Sequence, residues 1–268
     1  MDLDTIYDLK TGFTLKILLS NDDGINAPGL AALYEEISKI GDVTVVAPDS
    51  EKSAVGHAIT LSDPLRVTEF YKNGSFFGYA VNGTPADCVK IAYWAILEEK
   101  KPDLIISGIN LGSNAGVNII YSGTVSAATE GAMLNIPSFA ISLATFTNPD
   151  FKPAARFARK FAPLLYKKGL PDGLSLNINV PPIPEEKIEG VAITRQSKAL
   201  YREEFDKRTD PHGRLYYWLT GAKVKIEEDD EVDDRAILNN KISITPIHFD
   251  LTEYSYLDVL KKWSLTDL

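Results

Sequence analysis

The sequence is poor in the side chains that bind soft metals. It has one cysteine, Cys88, and three histidines in 268 residues. A single cysteine excludes a disulfide within the chain and a cysteine-rich zinc site, and so few histidines argue against a histidine-rich one. We therefore expect any metal site to be built from oxygen donors.

Long apolar runs and basic clusters are also missing. No apolar run approaches the roughly 20 residues that a membrane-spanning helix needs, and no signal peptide opens the chain, so we expect a cytoplasmic protein. With 28 basic and 37 acidic residues, the formal net charge is −9. Because no basic block could follow a phosphate backbone, neither a nucleic-acid polymer nor a membrane is an expected partner.

Strand-like and helix-like segments alternate from Leu15 to about Val180. The predicted strands are 16–20, 43–47, 103–107, 138–142 and 174–180. The predicted helices are 29–40, 84–99, 125–134 and 152–166. This alternation predicts an α/β fold with a parallel sheet covered by helices on both faces. The Asn73-Gly74 pair predicts a hairpin between 65–70 and 75–81, as a small antiparallel excursion on that core.

The character of the sequence changes after Val180, where prolines interrupt regular structure. We divide the chain into a core, 15–190, and a C-terminal extension, 191–268, that belongs to the same domain. The extension contains a β-like run rich in aromatics at 215–219, a strand at 241–246 and a final helix at 254–263. Exposed aromatics on such hairpins are typical of a subunit interface; the alternative is that they pack on their own core.

Two adjacent carboxylates, Asp22 and Asp23, follow the first predicted strand. Burying them within the sheet would cost a large desolvation energy, so we expect them just past its carboxyl end, where open α/β sheets bind ligands. Two hard oxygen donors suit Mg²⁺, Mn²⁺ or Ca²⁺. The alternative is a simple turn with aspartate capping the next helix.

Two further polar loops follow predicted parallel strands and should lie on the same rim of the sheet. One loop contains Ser50 and Ser53, and the other contains Asn110 and Asn114. A hydroxyl from the first and an amide oxygen from the second could join the aspartates in an all-oxygen cation site.

Ser122, Gly123 and Thr124 begin a helix-like stretch. Free N–H groups and hydroxyls at a helix start can receive a phosphate group, and a glycine allows close approach. The alternative is ordinary helix capping by a hydroxyl.

Several short motifs, in order along nearly the whole chain, resemble the SurE (survival protein E) family. The most specific are Asn21-Asp22-Asp23-Gly24, Ser53-Ala54-Val55-Gly56-His57, Gly83-Thr84-Pro85-Ala86-Asp87, Ser107-Gly108-Ile109-Asn110, Tyr121-Ser122-Gly123-Thr124 and Asn177-Ile178-Asn179-Val180-Pro181. The resemblance implies a Rossmann-like three-layer core and a C-terminal extension exchanged between the subunits of a homodimer or homotetramer. It also implies a metal-dependent 5′/3′-nucleotidase that acts on nucleoside monophosphates.

By the same resemblance, one divalent ion per subunit (Mg, Mn or Ca) is held by Asp22, Asp23, Ser53 and Asn110. We expect Asp22 and Asp23 to be catalytic, with Asp22 as the first candidate for a base or nucleophile. The substrate phosphate is expected to contact Asn114, Ser122, Gly123 and Thr124. Two alternatives remain: a broad acid phosphatase or short-chain exopolyphosphatase that uses the same site, and a nucleotide-binding protein without catalysis.

Overall fold

A nine-stranded sheet forms the centre of the computed structural model, which describes residues 14–225 and 227–263. The strands are β1 (Lys16–Ser20), β2 (Asp42–Pro48), β3 (Val67–Lys72), β4 (Ser75–Val81), β5 (Leu104–Leu111), β6 (Ser138–Leu143), β7 (Leu174–Val180), β8 (Val191–Ile193), β9 (Leu200–Thr209), β10 (Leu215–Lys225) and β11 (Ile242–His248). The α-helices are α1 (Pro28–Ile37), α2 (Pro85–Ile91), α3 (Asn118–Tyr121), α4 (Gly123–Met133), α5 (Lys152–Lys168), α6 (Asp233–Leu238) and α7 (Tyr254–Leu260).

The strands of the main sheet follow the order β3-β4-β2-β1-β5-β6-β7-β11-β8. Strands β4, β2, β1, β5, β6 and β7 are parallel to their neighbours in this run, whereas β3 and β11 pair antiparallel to β4 and β7. The chain passes from β1 to β2 on one side and later returns to β5 on the other. The carboxyl ends of β1 and β5 therefore flank a topological switch point, the usual ligand position in such sheets.

Alternate residues of the central strands pack on opposite faces of the sheet. In β1, Ile17 and Leu19 join the cluster that contains Leu30 of α1 and Ala158 of α5, whereas Leu18 joins the other cluster. That second cluster also includes Val89 of α2 and Ala127 of α4. The result is a three-layer α/β/α core, which confirms the predicted fold class.

The predicted hairpin forms, and Asn73 and Gly74 both adopt positive φ at its turn. It is not a separate excursion, however. Strand β4 pairs in parallel with β2, so the hairpin extends the main sheet at one edge. The predicted helix 84–99 is also shorter: α2 ends at Ile91 and a π-helical segment, Ala92–Ile96, follows it.

The C-terminal part of the chain contributes to two sheets. Strands β8 and β11 complete the main sheet, whereas β9 and β10 pair only with each other in the part of the chain described. The division at 190/191 stays a prediction, as does exchange of the extension between subunits. In the described ranges, no helix combines the length and the apolar character needed to cross a membrane.

Candidate active site at the carboxyl ends of β1 and β5

The segment after β1 turns sharply and buries the first of the two aspartates. Asp22 is buried, whereas Asp23 is half-buried. Asn21 Nδ2 donates to the Gly24 carbonyl at 3.0 Å and closes the turn. Gly24 has a φ of +93°, and a Cβ there would lie 3.2 Å from the backbone carbon of Ser50. Glycine therefore lets the loop after β2 pack closely on this turn.

The start of α4 holds the carboxylate of Asp22. The Thr124 hydroxyl donates to Asp22 Oδ1, and the nearby backbone N–H groups of Gly123 and Thr124 help to lower the pKa of this carboxyl. Burial raises the pKa of Asp22, and these donors oppose that shift. A helix N-terminus favours a negative charge, so the local field and the hydrogen bonds fix the orientation of Asp22.

Asp23 contacts the end of β5. The Leu111 N–H donates to Asp23 Oδ2 at 3.3 Å. Burial, followed by the negative charge of Asp22, raises the pKa of Asp23 to about 6. Two carboxylates that disfavour each other's charge in this way form a site where a bound cation would be strongly favoured.

The first part of the loop between β2 and β3, residues 49–57, is called the Ser53 loop. The Lys52 N–H donates to the backbone carbonyl of Asp22 at 2.7 Å, which places this loop directly beside the aspartates. Ser53 is exposed, and its hydroxyl donates to Glu51 Oε1 at 2.6 Å. The structure thus brings the Ser53 loop to the predicted rim.

Asn110 lies near the end of β5, one residue before the N–H that binds Asp23. Its Nδ2 donates to the Gly112 carbonyl at 2.7 Å, which orients the amide and uses its nitrogen. Its carbonyl oxygen is not used in that bond and is the atom type that a hard cation prefers. The backbone contact of Leu111 with Asp23 shows that the end of β5 and the aspartate turn are adjacent.

The donor chemistry of these four residues fits a hard divalent cation. Asp22, Asp23, Ser53 and Asn110 offer two carboxylates, a hydroxyl and an amide oxygen. Within residues 14–225 and 227–263, no group of three or more His, Cys, Asp or Glu side chains could hold a metal ion. A cation at the aspartates would therefore depend on the hydroxyl and amide oxygens as well.

The residues predicted to bind phosphate at the start of α4 differ in the contacts that they already make. Ser122 is the N-cap of α4 and its Oγ accepts the Val125 N–H at 3.1 Å. That leaves the hydroxyl proton of Ser122 for another acceptor. Thr124 is fully buried and its hydroxyl binds Asp22, while Gly123 packs against that carboxylate.

Asn114 is buried and belongs to a hydrogen-bond network. Its Nδ2 donates to Ser142 Oγ at 2.9 Å, and its backbone N–H donates to Asn179 Oδ1 at 2.8 Å. Its carbonyl accepts from the side chains of Asn177 and Asn179 at 2.6 and 3.2 Å. The network fixes the loop after β5, and a phosphate contact by Asn114 stays a prediction.

The sequence interpretation assigned no role to Asn177 and Asn179. Both lie in β7 and are fully buried. Residues two apart in a strand face the same side, so two buried asparagines at this spacing were the available signal for a polar contact on that face.

A cavity of about 700 Å³ lies beside the loop after β5 and is lined by Val117, residues 195–199 and Glu227. Its wall is joined to that loop through Asp233, which is fully buried. Asp233 accepts the Gly116 N–H at 2.8 Å and the Ser197 N–H at 3.0 Å. Burial raises the pKa of Asp233, and these N–H donors oppose the shift.

Known proteins match the chain over most of its length. The family model described as survival protein SurE matches residues 17–203. A protein of Syntrophobacter fumaroxidans named 5′-nucleotidase SurE is 51% identical, over 94% of this chain and 100% of its own length. One of the same name from Syntrophus aciditrophicus is 55% identical, over 92% and 93%. The crystal structure of the SurE protein from Aquifex aeolicus has a TM-score of 0.80 at 42% identity, covering 92% of this chain and 98% of that one.

Proposed function

The chain belongs to the survival protein SurE family, and we propose that it is a divalent-metal-dependent 5′-nucleotidase, which hydrolyses nucleoside monophosphates to nucleoside and phosphate. The relatives that it resembles along almost their whole length carry the name 5′-nucleotidase. Phosphoryl transfer depends mainly on positioning and electrostatics, and the rim at β1 and β5 offers both.

The observation that carries the proposal is the attachment of three separate segments, the Ser53 loop, the end of β5 and the start of α4, to one pair of aspartates. Lys52 of the Ser53 loop donates to Asp22, Leu111 donates to Asp23, and Thr124 donates to the Asp22 carboxylate. These contacts support a shared site for Asp22, Asp23, Ser53 and Asn110. The convergent carboxylates favour chemistry over mere binding, because capture of a phosphate requires no paired anions.

The proposed roles follow from how each side chain is held. A divalent cation held by these four residues would neutralise phosphate charge and polarise a phosphoryl oxygen. Asp22 is the first candidate for a base or nucleophile, because Thr124 and the α4 N-terminus fix its orientation. Ser122 is the proposed contact for a phosphate oxygen, because its Oγ accepts the Val125 N–H and keeps a hydroxyl proton to donate.

A phosphate-release assay with AMP, GMP, CMP, UMP and short-chain polyphosphate, with and without Mn²⁺ or Mg²⁺, tests the proposal. We expect metal-dependent release from the monophosphates. The Asp22→Asn variant should lose turnover while it keeps a cooperative thermal transition. Release mainly from polyphosphate or from unrelated monoesters would favour an exopolyphosphatase or a broad acid phosphatase. Binding of AMP without release of phosphate would favour a nucleotide-binding protein without catalysis.

We also propose that the protein is a homo-oligomer that uses the β9–β10 hairpin. Phe205, Leu215, Tyr217 and Leu219 are more than half exposed. The pairing of Leu219 with Phe205, together with the two-residue spacing from Leu215 to Leu219, places all four on one face of the hairpin. An exposed apolar face of this kind is typical of a subunit interface.

Sedimentation velocity tests the assembly. A second copy of the chain would cover the apolar face, so the double variant Tyr217→Asp with Leu219→Asp should sediment as a monomer. Thr220→Asp, on the opposite face, is the matched control and should keep the native assembly. A monomeric native protein would refute the proposal. The cytoplasmic location stays a prediction.

A further inference from the structure

Glu130 is a buried carboxylate to which the proposed reaction gives no role. It lies in α4, six residues beyond Thr124, and its side chain is only 3% exposed. A carboxylate this far from water needs close partners. His57 Nε2 lies 2.8 Å from its Oε1, and Lys90 Nζ lies 2.9 Å from its Oε2. Burial would raise the pKa of Glu130, but these two contacts outweigh it and hold the pKa below its ordinary value.

His57 is the last residue of the Ser53 loop, which has no helix or strand of its own. Ala54 and Gly56 have φ values of +56° and +59°, so the backbone of this loop follows an irregular path. Ser53 is exposed, and its side chain contacts Glu51 of the same loop. The position of Ser53 is therefore set by how the two ends of the loop are attached.

Both ends of the Ser53 loop are attached next to the aspartates. Near its start, the Lys52 N–H binds the Asp22 carbonyl at 2.7 Å. Near its end, the Gly56 N–H binds the Tyr121 carbonyl at 2.9 Å. The final attachment is the contact of His57 with Glu130, and it is the only one of these made by a side chain.

The helix that receives His57 also holds Asp22. The Thr124 hydroxyl in the first turn of α4 binds the Asp22 carboxylate, and Glu130 lies about 9 Å further along the same helix at 1.5 Å per residue. A helix of this length is rigid compared with an irregular loop. One element thus fixes Asp22 at its start and the end of the Ser53 loop at Glu130.

We propose that the contact between His57 and Glu130 positions the Ser53 loop, so that the Ser53 hydroxyl is held in place for a divalent cation bound at Asp22 and Asp23. His57 is then a positioning residue and not a catalytic one. The inference rests on the proposed metal site. It does not require His57 to touch substrate or to transfer a proton.

The chain supplies a matched control for this inference. Lys90 binds the same carboxylate as His57 but comes from α2 and makes no contact with the Ser53 loop among those described. Loss of either partner leaves one buried carboxylate oxygen of Glu130 without its contact, so both variants should lower thermal stability. Loss of His57 alone also removes the side-chain attachment of the Ser53 loop to α4, while Ala58 and Thr60 beyond it stay bound to Thr84 and Asp87.

Calorimetric titration of the 268-residue chain, free of substrate, with Mn²⁺ is the first measurement. Groups that orient metal ligands typically affect metal affinity by about 10–100-fold. We expect His57→Ala to weaken Mn²⁺ binding about tenfold, Lys90→Met to leave it within twofold, and His57→Gln, which keeps a donor at Nε2, to restore part of the loss. In a Ser53→Ala background, His57→Ala should weaken binding no further, because the ligand that it positions is gone.

Amide hydrogen exchange of the metal-free protein is the second measurement and does not depend on the cation. We expect faster exchange at Lys52 and Gly56 in His57→Ala than in Lys90→Met. Equal Mn²⁺ affinity in His57→Ala and native protein, or equal loss in Lys90→Met, would overturn the inference and leave the proposed function intact. Failure of the native protein to bind Mn²⁺ would overturn the proposed metal site and this inference together.

Discussion

Replacement of Gly123 by alanine should damage the site through a single added methyl group. A Cβ at this position would lie 2.7 Å from Asp22 Cβ and 2.9 Å from Pro85 Cγ. Carbon atoms in ordinary contact are about 3.5–4.0 Å apart, so Asp22 or α4 must move by roughly 0.8 Å. Gly123 is the first residue of α4 and its φ is not positive, so the backbone itself accepts alanine and the effect comes from the collision.

The expected loss follows from that displacement. A shift of about 1 Å in a catalytic group can cost on the order of 100-fold in rate, which corresponds to about 2.7 kcal/mol. We therefore expect Gly123→Ala to lower kcat/KM for AMP about 100-fold at saturating Mn²⁺. Overpacking costs about 1–3 kcal/mol of folding stability, and the better helix propensity of alanine offsets up to about 1 kcal/mol.

Gly131 provides the control, because it lies in the same helix and is just as tightly packed. A Cβ there would lie 2.7 Å from Ser138 Cβ, on a neighbouring strand and not at the aspartates. Gly131→Ala should lose a similar amount of stability in urea unfolding but keep kcat/KM within about threefold. Full activity in Gly123→Ala, or an equal loss of activity in Gly131→Ala, would refute the argument that Gly123 keeps space for Asp22.

Two further predictions concern the titration of Asp23 and the buried carboxylate of Asp233. The pKa of Asp23 is raised to about 6, and a cation binds the ionised carboxylate. Mn²⁺ affinity should therefore rise about tenfold from pH 5 to pH 7 in calorimetric titrations. Asp23→Asn should flatten this pH dependence, and a flat profile for the native protein would contradict the role of Asp23. Asp233→Ala should lower the free energy of unfolding, measured in urea, by about 3 kcal/mol, because it leaves the N–H groups of Gly116 and Ser197 buried without their acceptor. A loss below about 1 kcal/mol would show that other groups replace the carboxylate.

Local sequence patterns were sufficient to place the aspartates. The apolar run of β1 ends at Ser20 as predicted, and a pair of carboxylates can follow a buried strand only where the chain leaves the sheet. The rim position of the Ser53 loop and of Asn110 follows in the same way, since both come after parallel strands. The family resemblance supplied the selection of Ser53 and Asn110 among the polar residues of those loops.

Contacts between distant parts of the chain were not predictable by the same means. His57 and Glu130 are 73 residues apart, and Asn114 and Asn179 are 65 apart. No periodicity within either segment indicates its partner, because tertiary packing decides which elements meet. The parallel pairing of β4 with β2 was missed for that reason: the Asn-Gly turn predicts a hairpin but not the strand beside it.

The start of α4 contacts an anion that belongs to the protein itself. Ser122, Gly123 and Thr124 were predicted to receive phosphate, and this stays a prediction; in the structure the Thr124 hydroxyl binds the Asp22 carboxylate, and the N–H groups of Gly123 and Thr124 lower the pKa of Asp22. The Thr124 hydroxyl donates its only proton to Asp22 and has none left for a phosphate oxygen. Under the proposed function, a negatively charged substrate would approach two aspartates in a chain whose formal net charge is −9. The charge balance must then come from a cation at Asp22 and Asp23, and α4 contributes by orienting the carboxylate that binds it.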